Sequence, residues 1–140
     1  MRASQKCAWP DVSLSGPVAC AAAVAAFDVI ERDGLLEAAQ TKGADLKRRL
    51  ESTMEHFPDF ISDVRGRGLW LAIDLPPELT MPIVDEMERR GVIVGSMLNS
   101  EGTVRIAPPL VIADAEMDVF VGVLRASLLA ARAGKLASQA

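Results

Sequence analysis

Ile61-Ser62-Asp63-Val64-Arg65-Gly66-Arg67-Gly68-Leu69-Trp70-Leu71-Ala72-Ile73-Asp74-Leu75 stands between helical patterns and reads unlike either of them. Leu69, Leu71 and Ile73 alternate with Trp70, Ala72 and Asp74. That period of two predicts a strand with one strongly apolar face and one mixed face. The two glycines of Arg65-Gly66-Arg67-Gly68 supply the turn before it, so the stretch predicts strand, turn, strand. Pro76 and Pro77 remove two backbone donors and close it.

Upstream, the apolar residues fall at helical spacing. Ala39, Gly43, Leu46, Leu50, Met54 and Phe57 recur at steps of three and four, which draws one buried stripe on a helix over about 35–57. Asp45 with Arg49 and Lys47 with Glu51 add weak pairs on its outer face, and Pro58 ends it. Before it, Gly16 and Pro17 mark the start of an Ala-rich helix, with Pro17 at the first helical position. Gly34 closes that helix as a left-handed cap. Residues 1–12 show no periodicity and read as an irregular lead.

Downstream, a third helix is expected from Pro82 to Arg90, with Ile83, Val84 and Met87 facing inward and Gly91 as its cap. Val92 to Val94 reads as a short strand. Asp114 is a good N-cap for the last helix, whose buried stripe is Met117, Val121, Leu124, Leu128 and Ala131. Residues 134–140 read as a frayed tail. The order predicts an α+β two-layer sandwich, helices over a small, mostly antiparallel sheet.

Between the third and last helices stands Gly102-Thr103-Val104-Arg105-Ile106-Ala107-Pro108-Pro109-Leu110. The β-branched residues suit a strand, and the double proline stops it. An arginine at a rigid strand end can grip a carboxylate through two parallel hydrogen bonds. On these nine residues alone, an ordinary surface ion pair is the plainer reading.

Composition excludes several classes. The chain has 140 residues, 50% hydrophobic and 24% charged, which suits one soluble domain with a real core. A net charge of −4 offers no basic field for nucleic acid or anionic membrane. Aromatics are 4% and tyrosine is absent, so no base-stacking platform is expected. A single Arg-Gly-Arg-Gly copy in a strand context reads as a turn, not as an RNA-binding segment. His56, the one histidine, has no ligand cluster at metal spacing, so no metal site is expected. Two cysteines, Cys7 and Cys20, are too few for a disulfide framework. Cys20 in its Ala-rich helix predicts a buried free thiol, and the compartment reads as reducing and cytoplasmic. The uncharged run from Val12 to Phe27 imitates a signal peptide. Asp11, Ser13, Ser15, Gly16 and Pro17 argue against that, and the run is short of the roughly 20 residues that span a bilayer.

Four segments in sequence carry a resemblance. They are Ser13-Leu14-Ser15-Gly16-Pro17 with the Ala-rich helix after it, Asp63-Val64-Arg65-Gly66-Arg67-Gly68-Leu69, Arg90-Gly91-Val92-Ile93-Val94-Gly95, and Gly102 to Leu110. In that order and spacing, over about residues 13 to 130, the chain resembles the C-terminal small domain of class III aminotransferases. These are fold type I pyridoxal-phosphate enzymes such as the acetylornithine, ornithine and putrescine aminotransferases. The resemblance implies a small domain over 13–133 with the same two-layer layout, a missing large domain, and a homodimer mate in the complete enzyme.

It also implies site residues. Arg105 would bind the substrate α-carboxylate. Ser13 matches the hydroxyl that reaches the cofactor phosphate of the partner subunit, near a helix N-terminus suited to anions. Here Leu14 replaces an aromatic residue and one position before Pro17 is missing. The family's Schiff-base lysine lies upstream of anything in this chain. Lys6, Lys42, Lys47 and Lys135 fall in the ragged ends or on the solvated side or margin of the second helix. No catalytic residue is therefore expected here, and pyridoxal 5'-phosphate would not attach covalently to this chain. The expected function is a fragment of a transaminase, moving an amino group from an amine or amino acid to a 2-oxo acid and inactive alone. The alternative is a free-standing, non-catalytic α+β module that binds a small carboxylate or a partner protein.

Overall fold

The computed structural model describes residues 16–96 and 100–134. The chain divides into two compact units at Gly34. The first contains one helix, α1 (Pro17–Arg32). Pro17 sits in its first turn after the N-cap Gly16, where a missing N–H forfeits no helical bond. Gly34, at φ 61°, closes it as the sequence predicts. None of its residues is buried, and Cys20 is exposed, against the expectation of a buried thiol. Alanine rows permit close packing but give little apolar area to drive it.

The second unit carries the architecture. In chain order it has α2 (Leu35–His56), β1 (Asp63–Arg67), β2 (Trp70–Asp74), α3 (Pro77–Arg89), β3 (Gly95–Ser96), β4 (Thr103–Ile106) and α4 (Asp114–Arg132). The strands form one sheet in the order β1-β2-β4-β3, with every pairing antiparallel. This is the α+β arrangement predicted. β1 and β2 join through Gly68 and Leu69 alone, since Arg67 pairs with Trp70. Positive φ at Gly68 only, at 56°, suits a two-residue turn of the II′ kind.

The pleat then sorts side chains by parity. Val64, Leu71, Ile73, Val104 and Ile106 all enter one buried cluster with Leu46 and Leu50 of α2, Ile83 and Met87 of α3, and Met117, Leu124 and Leu128 of α4. α2 packs on β1 and β2, α3 on β3 and β4, and α4 against both helices. All three thus cover the same face of the sheet. α2 approaches the hairpin so closely that a Cβ on Gly43 would collide with the backbone of Gly68.

The predicted stripes of α2 and α4 are the buried ones, with Ala39, Met54 and Ala131 at their half-buried margins. Two hydroxyls join them. Thr53, wholly buried, donates from Oγ1 to the Arg49 carbonyl at 2.8 Å and accepts from Arg125 Nε at 3.0 Å. Ser127, also wholly buried, donates to the Val123 carbonyl at 3.0 Å.

Three boundaries differ from the sequence expectation. α3 begins at Pro77, not Pro82. Pro77 is the proline of the first turn, and Pro82 lies inside the helix, where its ring forfeits one backbone bond. Burial of Thr80, Ile83, Val84 and Met87 carries the helix across that gap. The strand expected over Val92–Val94 is absent. Gly91, at φ 87°, terminates α3, and the Val92 N–H donates back to the Met87 carbonyl at 2.9 Å. That N–H is therefore unavailable to a ladder, and pairing begins only at Gly95. At α4 the N-cap is Ala113, with Asp114 one position inside. The Glu116 carboxylate accepts from the Ala113 N–H at 2.7 Å and replaces the expected Asp114 cap.

Candidate functional site

The face of the sheet that α2, α3 and α4 leave uncovered carries Asp63, Arg65, Arg67, Trp70, Ala72, Asp74, Thr103 and Arg105, the residues of opposite parity to the core. Arg65 and Arg105 are the cations at its centre, and they hold different things. Arg65 Nη1 donates to Asp63 Oδ2 at 2.8 Å, and its two terminal nitrogens form a fork on Asp74, one arm at 2.9 Å. Asp74 also accepts from Thr103 Oγ1 at 2.7 Å. Ser100 Oγ in turn lies 2.8 Å from Thr103 Oγ1. The Arg65 hydrogen bonds hold the Asp74 carboxyl below the usual carboxylate range, against a smaller upward push from burial. The same pairing raises the Arg65 guanidinium. Both carboxylates beside Arg65 are thus committed to it.

Arg105 stands two strands away from β1, opposite Ala72 on β2 and Gly95 on β3. Among the described residues no carboxylate pairs with it. Its guanidinium carbon lies 5.5 Å from the centre of the Trp70 ring, within cation–π range. A Cβ at position 95 would fall 3.1 Å from Arg105 Nη2, so a side chain there would press on the guanidinium. Arg105 lines two hollows. One, of about 310 Å3, has Ile93, Val94, Pro108, Met117 and Phe120 in its walls. The other, of about 250 Å3, lies among Arg65, Trp70, Thr103 and Arg105. A guanidinium with free donors on an open, partly apolar surface has the chemistry to accept an anion with two oxygens.

Ser13, the second site residue expected from the sequence, lies outside the described residues, and so do Lys6 and Lys135. Lys42 is half-buried at the margin of α2, where its ammonium donates to the Ile112 carbonyl. Lys47 faces Glu51 at 4.0 Å. Neither amine is free at the Arg105 site, and the carboxylates of the open face are held by Arg65. The described residues therefore do not by themselves make a site for pyridoxal phosphate, which needs a lysine for its aldehyde and an acid for its ring nitrogen. Among the described residues no three His, Cys, Asp or Glu side chains converge to hold a metal, and no helix is long and apolar enough to cross a membrane. His56 Nδ1 lies 2.6 Å from the Ser52 carbonyl.

Two members of this constellation escape a reading of the sequence. Trp70 reads only as the polar-face partner of an alternating strand, and its nearness to Arg105 depends on β4 pairing beside β2. Gly95 reads as the residue after a strand, because the ladder that sets it opposite Arg105 starts later than the apolar run Val92–Val94.

Comparison with known proteins adds an independent line. The family described as Aminotransferase class-III matches residues 14–128. Among solved structures, a lysine aminotransferase from M. tuberculosis is similar at 36% identity with a TM-score of 0.70, over 73% of this chain and 23% of that one. A structure described as a transaminase with L-ala is similar at 29% identity and a TM-score of 0.76, over 84% of this chain and 30% of that one. A phospholyase from Arthrobacter, in complex with phosphoethanolamine, is similar at 29% identity and a TM-score of 0.76, over 81% and 29%. The chain thus spans about a quarter of the length of the proteins it matches.

Proposed function

The chain belongs to the class III aminotransferase family, and from that premise we propose that it serves as the small domain of a pyridoxal-phosphate-dependent transaminase, with Arg105 taking the α-carboxylate of an amino-acid substrate. The observation that carries this reading is the contrast on one sheet face. Arg65 is saturated by Asp63 and Asp74, while Arg105 has no acidic partner among the described residues and borders two hollows.

In this reading the cofactor, its lysine and the acid of its ring belong to a large domain. Bound there, the cofactor supplies the carbonyl and the electron sink for moving an amino group to a 2-oxo acid. This chain contributes positioning. The Arg105 fork fixes the carboxylate in plane, and Trp70 covers one side of the guanidinium against water. The strand end is held by Pro108 and Pro109, whose fixed φ limits its freedom. Substrates of the ornithine or acetylornithine kind fit, because they carry an α-carboxylate for this fork at the end of the chain remote from the terminal amine. Exposed Ile93 and Val111, at 84% and 70%, flank the same strand end and offer apolar surface to the large domain. Ser13 would reach the cofactor phosphate of the mate in a homodimer. Its support is the start of α1, where Gly16 makes no side-chain cap and leaves amide donors open. The free thiol of Cys20 fits a reducing cytoplasm.

The test joins this chain to its large domain. Arg105→Lys should keep the fold and lower the specificity constant for ornithine-type donors about tenfold to a hundredfold, the value of a bidentate charged pair. Unchanged kinetics would remove Arg105 from the substrate. The chain by itself, mixed with pyridoxal phosphate and then reduced with borohydride, should trap no stoichiometric adduct on one lysine.

A further inference from the structure

The Arg105 side chain is held in place by neighbours that do not themselves offer a charge. Gly95 lies directly opposite it on β3, and a methyl group there would come within 3.1, 3.5 and 3.6 Å of Arg105 Nη2, Nε and Cζ. Contacts that tight force the neighbour to give way, and the neighbour here is the functional end of the side chain. On the other side, Trp70 stands two residues before Ala72, the β2 partner of Arg105. Its ring centre lies 5.5 Å from the guanidinium carbon. Trp70 is 65% exposed, an unusual place for the largest apolar side chain unless it covers something. Without the Trp70 ring, a guanidinium on an open face would sample many rotamers, and a side chain at position 95 would push it from its present one; ordering it would then cost binding free energy.

We infer that Gly95 and Trp70 are positioning residues that preorganise Arg105 for a carboxylate, Gly95 by leaving the lane along β3 empty and Trp70 by stacking on the guanidinium. The inference rests on the reading of Arg105 as a carboxylate anchor for its consequence, but the positioning has a readout of its own. A guanidinium beside an indole ring feels that ring's magnetic field, whatever it binds.

The experiment uses the isotopically labelled 140-residue chain, with Trp9→Phe so that Trp70 is the only indole. Nuclear magnetic resonance follows the Arg105 Nε–H and Cδ–H shifts, and succinate is titrated as the probe carboxylate. In the parent, Arg105 should show a ring-current shift that Trp70→Leu abolishes and Trp70→Phe largely keeps. Gly95→Ala should move the same signals while the core methyl signals of Leu71 and Ile73 stay put. Succinate affinity should fall about twofold to fivefold in Trp70→Leu and Gly95→Ala, the factor an exposed cation–π contact carries, and should recover in Trp70→Phe. Arg105→Lys should weaken it further. If Arg105→Lys weakens succinate and the other two variants do not, the anchor stands and the positioning inference falls. If Arg105→Lys has no effect on succinate, the anchor reading falls. Arg105 shifts unchanged in Gly95→Ala and Trp70→Leu also overturn the positioning inference, and shifts that move in both together with weaker succinate binding support it.

Discussion

The two faces of the sheet are made by the same strands and obey opposite rules. On the covered face, Leu71, Ile73, Val104 and Ile106 are each at most 4% exposed and pack against three helices. One residue along on the other face, Arg65, Trp70 and Arg105 are exposed. A covered face is explained by what lies inside the unit, since burial of each large apolar side chain is worth about 1.5–3 kcal/mol. An open face must be explained residue by residue. Arg65 is accounted for by Asp63, Asp74 and Thr103. Arg105 has the Trp70 ring beside it and no carboxylate partner among the described residues. The difference separates residues whose partners lie within the unit from an arginine whose charge is unpaired among the described residues.

The largest effect should come from the covered face. Ile73→Ala should cost about 2–5 kcal/mol in urea unfolding, the transfer term plus the cavity left behind. A loss below about 1 kcal/mol would mean that the core as described is not the stabilising cluster. Gly43→Ala should follow, at about 1–3 kcal/mol, because its methyl group meets Gly68 backbone that cannot turn aside as a side chain could. Gly43→Ala tolerated without loss would show that α2 and the hairpin can separate freely.

The covered face was the legible one. Its parity is written in Leu71 and Ile73, and the helical stripe Leu46, Leu50 is written in steps of four, because apolar periodicity encodes burial directly. Boundaries set by a single backbone bond were not legible. Val92 looks like a strand residue, yet its N–H closes α3 on Met87. Two prolines could start α3, and only packing of Thr80 and Ile83 shows that the first one does. On the open face, Arg105 could be singled out from its double proline and family resemblance. Trp70 and Gly95 could not, because their roles depend on the strand order β2-β4-β3, which pairs segments far apart in sequence.

The pH dependence of stability sharpens the comparison within the open face. The folded Asp74 carboxyl is held below its ordinary range, chiefly by Arg65. A depressed carboxylate pKa contributes stability that is fully present above its unfolded value, near about 4. That contribution is lost as pH falls through the lower folded value. Asp74→Asn should therefore flatten the acid limb of the unfolding curve below about pH 4. It should cost only about 0.5–1 kcal/mol at neutral pH, because the pair is partly solvated. An acid limb identical in the variant would show that Asp74 and Arg65 are not coupled in the folded chain.

The smallest effect on stability should come from Arg105, the residue given the largest role in function. Its side chain makes no ion pair among the described residues, so Arg105→Ala removes only the stack on Trp70 and some covered stem. An exposed cation–π contact is worth about 0.5–1 kcal/mol, and urea unfolding of Arg105→Ala should show no more than that. Arg65→Ala removes a forked, charge-assisted contact and leaves Asp74 beside Thr103 without its cation, so it should cost more than Arg105→Ala under the same conditions. The ordering of the two variants is the decisive measurement. If Arg105→Ala proves the more destabilising, Arg105 is a structural residue of the sheet. If it is nearly silent, the fold keeps at its strand end an arginine that it does not need for its own stability. That result would support the proposed role of Arg105, a charge kept beside Trp70 for an anion from outside.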